Sequence, residues 1–452
     1  MTREALARHP LAIAGALITT TTAVVFIALV IAMFAGLFDN PYAGLVVFVA
    51  IPALFVLGLL LIPLGMWLER RKLQRDPGAV AEWPVFDFRR REVRRRALLF
   101  VALTAVNVVI VLVAGYGSLH SMETPTFCGQ VCHAPMHPQF SAWQAGAHPR
   151  IACVQCHIGE GAGGFVYAKL NGVRQLVEVA ANSYPRPIPP GAHMKPGAQA
   201  VTCSGCHKTS RIVGDKIRVI REYADDEANT ETITVLQMHV GDAASSGRAI
   251  HRHVDPSIRI EYIATDETRQ TIPYVKLTDG KGQVKEFMAE GATEEMVRTG
   301  VRQTMDCIDC HNTVGHPISP TPERAVDQAI AAGLISRQLP NVRREGVKLL
   351  AAEYPTQDEG VRAIERGLRT FYESRGVDQQ ALARSVSALQ DVYRHNVFPA
   401  MKVKWGSYPT NRGHLTSDGC FRCHDDSHKA KDGSLISGDC EWCHKQIEQP
   451  GG

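Results

Sequence analysis

Every cysteine in this chain belongs to a close pair that ends in histidine. Five pairs read C-x-x-C-H: "CVQCH" (Cys153, Cys156, His157), "CSGCH" (Cys203, Cys206, His207), "CIDCH" (Cys307, Cys310, His311), "CFRCH" (Cys420, Cys423, His424) and "CEWCH" (Cys440, Cys443, His444). The sixth, "CGQVCH", separates Cys128 from Cys132 by three residues before His133. The chain has 12 cysteines, so none is left over. This spacing serves covalent haem attachment. Two thiols form thioethers with the haem vinyls, and the adjacent imidazole takes one axial position on iron. A closed zinc site needs two such pairs and asks for no histidine after each. A disulfide explains no histidine at all. Six c-type haems are expected, with five haems and a different first site as the alternative.

A pure electron carrier closes the other axial position, usually with a second His or a Met. Of the 18 histidines, six belong to motifs, and His9 precedes the first apolar run. The others are His120, His137, His148, His193, His239, His251, His253, His316, His395, His414 and His428. The main expectations are His148, His239, His253, His316, His414 and His428. His251 and His253, in "IHRH", share a face if the segment is a strand, so at most one of them need be a ligand. Behind the first motif stand Met136 and His137. A thioether ligand there raises the reduction potential, which suits a haem that takes electrons from a donor. The alternative for each of these residues is an ordinary surface or hydrogen-bonded side chain.

The elements that must position these groups begin with a membrane anchor. Residues 11–38, 42–68 and 97–117 are nearly free of charge, and each is long enough for a bilayer that needs roughly 20 apolar residues. The first run is too long for a cleaved signal core of about 7–15 residues. The loop 69–96 holds ten Lys or Arg, whereas 39–41 holds none. Positive loops stay cytoplasmic, so the N-terminus is expected inside and everything after about residue 118 in the periplasm. This places the protein in the inner membrane, with its haem region on the side where c-type haem is attached. Residues 1–117 carry 12 basic and 7 acidic residues, against 37 and 38 in the remainder. The basic excess is therefore topogenic and implies no nucleic-acid partner. No histidine lies within a span, so a bis-His haem inside the bilayer is excluded.

The expected fold is a three-helix membrane anchor plus a mixed multihaem domain with little regular structure and two inserts. The anchor is 1–117 and a three-haem region 118–211. A β-rich insert occupies 212–300, where "KIRVIREY", "TITVLQMHV", "IRIEYIAT" and "TIPYVKLTD" read as strands. The fourth haem site is 301–320. A helical insert follows at 321–400, opened by "TPERAVDQAIAAGLI", with apolar residues at three-to-four spacing thereafter. The C-terminal two-haem region is 401–452. "GEGAGG" at 159–164 lacks the Gly-Lys-Ser/Thr of a phosphate loop and reads as a turn. "YPRPIPPGAHMKPG" at 184–197 reads as an extended connector.

"ETPTFCGQVCHAPMHPQF", "AHPRIACVQCHIGEGAGGFVYAKLNGVRQLVEVAANSYPRPIPP" and "CSGCH" together resemble the NapC/NirT/NrfH family of membrane-anchored multihaem quinol dehydrogenases. The resemblance covers roughly residues 118–207 and implies oxidation of menaquinol or ubiquinol at the outer membrane face. It implies a first haem at that surface, with Met136 at the position of a methionine that ligates iron. It also implies a quinol pocket near Lys169. Arg174 and Glu178 follow on the same helix, where they read either as a surface ion pair or, for Glu178 with Lys169, as acceptors of quinol protons. Three spans and six motifs exceed the family's usual single anchor helix and four or five haems.

The reading is a hexahaem cytochrome that oxidises quinol and relays electrons to a periplasmic or outer-membrane acceptor. One rival is a terminal reductase with an open haem. The other is an electron-transfer subunit that has no quinol site and docks to other membrane subunits.

Overall fold

A computed structural model describes residues 9–34, 46–74, 88–131, 133–158, 161–190, 198–208, 211–241 and 249–448. Cys132, His193, and parts of the Gly-rich turn and of the connector lie outside the described residues. The chain forms two compact units, Met1–Val131 and Cys132–Gly452.

The first unit holds helices α1 (Pro10–Phe34), α2 (Ile51–Gln74) and α3 (Arg91–Met122). All three are long and apolar enough to cross a membrane. Lipid tails give apolar side chains no reason to associate, so close packing through small residues must hold such helices together. Here α1 and α2 meet at glycines. A Cβ on Gly58 would lie 2.5 Å from the Thr19 hydroxyl, and one on Gly65 2.5 Å from the Ala12 nitrogen. Thr19 donates its hydroxyl to the Gly15 carbonyl at 2.8 Å, so its polar atom is satisfied where water is absent. The third helix begins six residues earlier than its apolar run and takes Arg94 and Arg95 into its first turns. The unit ends in a π-helical turn, Phe127–Val131.

The second unit opens with α4 (His133–Ala145), α5 (Cys153–His157), α6 (Gly161–Ala180) and α7 (Ala198–Cys206). The segments expected as strands then form β1 (Lys216–Tyr223), β2 (Glu231–Met238), β3 (Arg259–Ala264) and β4 (Tyr274–Thr278). These are followed by β5 (Val284–Met288), α8 (Glu294–Thr299), β6 (Val301–Thr304) and α9 (Cys307–Cys310). Two further strands come from the C-terminal region, β7 (Lys429–Ala430) and β8 (His444–Glu448). They complete sheets of order β1-β2-β8 and β6-β3-β4-β5-β7. His444 of the last motif thereby pairs with Met238 of β2.

The helical insert is α10 (Pro322–Ala331), α11 (Val342–Ala351), α12 (Gln357–Tyr372) and α13 (Gln379–Asn396). Thr321 caps the first of these by accepting from the Arg324 nitrogen, and Pro322 follows as its sequence foretold. The apolar faces close on a core of Val326, Val342, Ile364, Leu368, Leu389 and Tyr393, all essentially inaccessible. The insert meets the β1–β2 hairpin through Asn229, whose amide donates to the carbonyls of Arg337 and Leu339 at 3.0 and 2.9 Å.

Candidate functional site

Each regular C-x-x-C lies on one helical turn, so its two thiols project to the same side. The turns are α5, the end of α7, α9, and the 3-10 turns Gly419–Arg422 and Cys440–Trp442. The turn at motif four is capped twice: Ile308 nitrogen donates to Asp306 at 2.9 Å, and Asp306 nitrogen donates to Asp309 at 2.7 Å.

Five motif histidines each face a second histidine from elsewhere in the chain. His207 faces His148 with ring centres 6.1 Å apart, and His157 faces His316 at 6.0 Å. His311 faces His251 at 6.2 Å, His424 faces His253 at 5.7 Å, and His444 faces His414 at 6.1 Å. A metal–imidazole bond of about 2 Å on each side, plus about 1 Å from nitrogen to ring centre, sets two rings about 6 Å apart across one metal.

Hydrogen bonds orient the rings. Nδ1 of His316 bonds the Gln139 carbonyl at 2.8 Å, that of His251 the Val240 carbonyl at 3.0 Å, and that of His253 the Ile250 carbonyl at 2.7 Å. His424 does the same with Ser437 at 2.8 Å. An imidazole that donates from Nδ1 keeps its Nε2 lone pair for a metal. Burial also holds His253, His311, His316 and His444 below the usual imidazole range, which favours the neutral, ligating form.

The motifs run in a file. Cys156 lies within charge range of Cys206, and Cys203 and Cys307 share a hydrogen bond. Cys310 is near Cys420, which in turn is near Cys443. The order in space is thus two, three, four, five, six, as in the chain. Beside His311 and His444 gather Arg412 and Arg218, with Arg324 close to Arg218. None of the three is in an ion pair among the described residues. Burial, then its like-charged neighbours, pull the Arg218 guanidinium below its ordinary range.

Other expected groups are placed differently. The expectation for His428 is corrected: it is 1% exposed, and its two ring nitrogens bond Asp425 at 2.9 Å and the Ile272 carbonyl at 2.8 Å. Neither nitrogen remains for iron. His239 bonds Asp215 at 3.1 Å, and the ring opposite His444 is that of His414. His251, set aside as redundant on a strand reading, sits instead on a 3-10 turn, Ile250–Val254, and faces His311. At the first site, Cys128 lies in the π-turn, and Met136 stands one turn after His133 on α4. His137 packs edge-on against Phe398.

On α6, Glu178 accepts from Arg174 at 3.4 Å on the surface. Lys169 and Glu178 are nine residues apart, about two and a half turns at about 3.6 residues each, so they leave opposite sides of the helix. Between them runs an exposed apolar stripe of Val166, Leu170, Val173 and Val177.

Residues 90–187 match the NapC/NirT cytochrome c family, N-terminal region. The chain is also similar to the cytochrome c-type protein ImcH of Geobacter sulfurreducens, 36% identical over 455 residues that cover 98% of this chain and 89% of that protein. The chain belongs to the NapC/NirT cytochrome c family. No solved structure matches it. This NapC/NirT protein is therefore a membrane-anchored multihaem cytochrome c whose haem is covalently bound, and its work is electron transfer. The residues fit the group: facing imidazoles spaced for one iron, and thiols on single helical turns beside them.

Proposed function

We propose that this cytochrome oxidises a membrane quinol, menaquinol or ubiquinol, and passes the electrons along a file of six haems to a periplasmic or outer-membrane acceptor. Cys128 and Cys132 would hold the first haem, with either His133 or Met136, one turn apart on the same face of α4, as its ligand from that helix. The ten cysteines of the other motifs would hold the remaining five. His157, His207, His311, His424 and His444 would be proximal ligands, and His316, His148, His253 and His414 distal ligands at motifs two, three, five and six. When bound, the haem supplies reversible one-electron redox chemistry at iron.

One observation carries the reading: five motif histidines each face a second imidazole at the spacing of one iron. Axial positions closed in this way at motifs two to six would suit electron transfer and would leave no place there for an oxyanion substrate, which supports this reading over the terminal reductase. The protein's part is to orient imidazoles such as His251, His253, His316 and His424 through Nδ1.

Quinol oxidation releases two protons with its two electrons, so an acid–base group must lie nearby. The apolar stripe of α6 would lie against lipid, with Lys169 on one flank as the proton acceptor. Glu178, on the other flank and bonded to Arg174, would serve the second proton at most. Inner-membrane placement with a cytoplasmic N-terminus follows the charge of the 69–96 loop.

The test is direct. Purified protein in detergent, mixed with a menaquinol analogue, is expected to show its haem absorption bands in the reduced form. If dithionite reduces the haems and the quinol does not, the quinol reading fails and the docked-subunit alternative replaces it.

A further inference from the structure

We infer that the turn Ile250–Val254 is a clamp that ligates two haems at once, His251 closing the iron of motif four and His253 that of motif five. The inference rests on the haem reading of those motifs and adds a ligand and a coupling to it.

The local geometry separates the two rings. On a strand, residues two apart point the same way. The segment is instead a 3-10 helix, with about 3 residues per turn, so side chains two apart point about a third of a turn apart. His251 therefore reaches His311, with ring centres 6.2 Å apart and planes 2° from parallel. His253 reaches His424 at 5.7 Å. Both rings donate from Nδ1 to backbone carbonyls, of Val240 and Ile250 at 3.0 and 2.7 Å, so both present Nε2 outward.

The two motifs are also locked to each other directly. Arg422, inside motif five, donates to the carbonyl of Asp309, inside motif four, at 2.8 Å, and to that of Arg269 at 2.8 Å. The Arg269 guanidinium pairs with the Asp309 carboxylate at 2.7 Å, and the Tyr262 hydroxyl donates to the same oxygen. Two irons bound through residues two apart, between motifs fixed by a buried network, must sit as close neighbours. Oxidation of one then raises the cost of oxidising the other, because both charges lie in one partly desolvated space.

The test uses the full-length holoprotein and needs no turnover. The variants are His251→Ala, His253→Ala, the double substitution, and His428→Ala as control. Thioether attachment does not involve the distal ring, so intact mass is expected to keep the wild-type haem number. Electron paramagnetic resonance is expected to show one low-spin haem converted to high spin in each single variant and two in the double. The control is expected to match wild type. Redox titration is expected to shift a second haem in each single variant as well. If a single variant stays fully low-spin, or if the double converts only one haem, the clamp is overturned. Should an alanine variant lose haem during maturation, His251→Met and His253→Met retain a ligand. Each is then expected to raise the potential of one low-spin haem, and an unchanged titration overturns the assignment. A wild-type mass short of haem at motifs four and five would instead sink the parent reading, and quinol reduction tests a different step from either.

Discussion

The first attachment site and the coupled fourth and fifth sites hold their cysteines by different means. At the first, Cys128 lies in a π-turn, and a π-turn takes about one residue more than an α-turn. The extra residue of "CGQVCH" falls in that turn, so the altered spacing is a local helical device. Its further ligand candidate, Met136, follows on the next helix. Motifs four and five have regular spacing, yet their geometry depends on residues far away in sequence: Tyr262, Arg269, Asn411 and the turn at 250–254. The first site draws its cysteine spacing and its ligand candidates from residues neighbouring in sequence. Motifs four and five instead depend on contacts from far along the chain.

The largest expected effect comes from removing the local site. The double substitution Cys128→Ser, Cys132→Ser is expected to lower the intact mass by one haem and abolish reduction by quinol, while dithionite still reduces the rest. Retained quinol reduction would remove the distinction between the first site and the others. At the coupled pair, Arg269→Ala strips a buried charge of its partner, since Asp309 is 2% exposed and Arg269 faces it. A loss of about 3–5 kcal/mol is expected in denaturant unfolding, with no matching loss at the first haem.

Leu389→Ala separates folding from wiring. Leu389 is wholly buried in the helical insert, whose His395 bonds its own helix at the Asp391 carbonyl rather than facing a motif. About 3 kcal/mol of stability is expected to go, with the haem spectrum unchanged. Met136→His is expected to lower the potential of one haem by on the order of 0.1 V, within the ~0.8 V that axial ligation spans. A titration with no shifted haem would show that Met136 is not a ligand. Smallest of all, Arg174→Ala breaks an exposed helix pair and should cost about 0.3–0.5 kcal/mol.

The two inserts show why much of the fold was legible and the ligand pairing was not. Strand alternation in "KIRVIREY" and the Thr-Pro-Glu start of α10 are local signals, and both elements formed where those signals lie. That β7 and β8 would join the insert's sheets could not be read, because strands of two and five residues carry no partner information. His428 looked equivalent to His414 in sequence. The fold spends both nitrogens of one ring on hydrogen bonds and turns the other toward a motif.

Cysteine spacing, apolar runs and the placement of Lys and Arg act over a few residues or by simple composition, so haem chemistry, three spans and the expected orientation were already present in the chain. Which imidazole meets which motif depends on contacts across tens to hundreds of residues, His316 with His157 among them. The step from strand to 3-10 turn at "IHRH" is the sharpest case. It changes the direction of one side chain by about a third of a turn, and with it the number of haems that one short segment can hold.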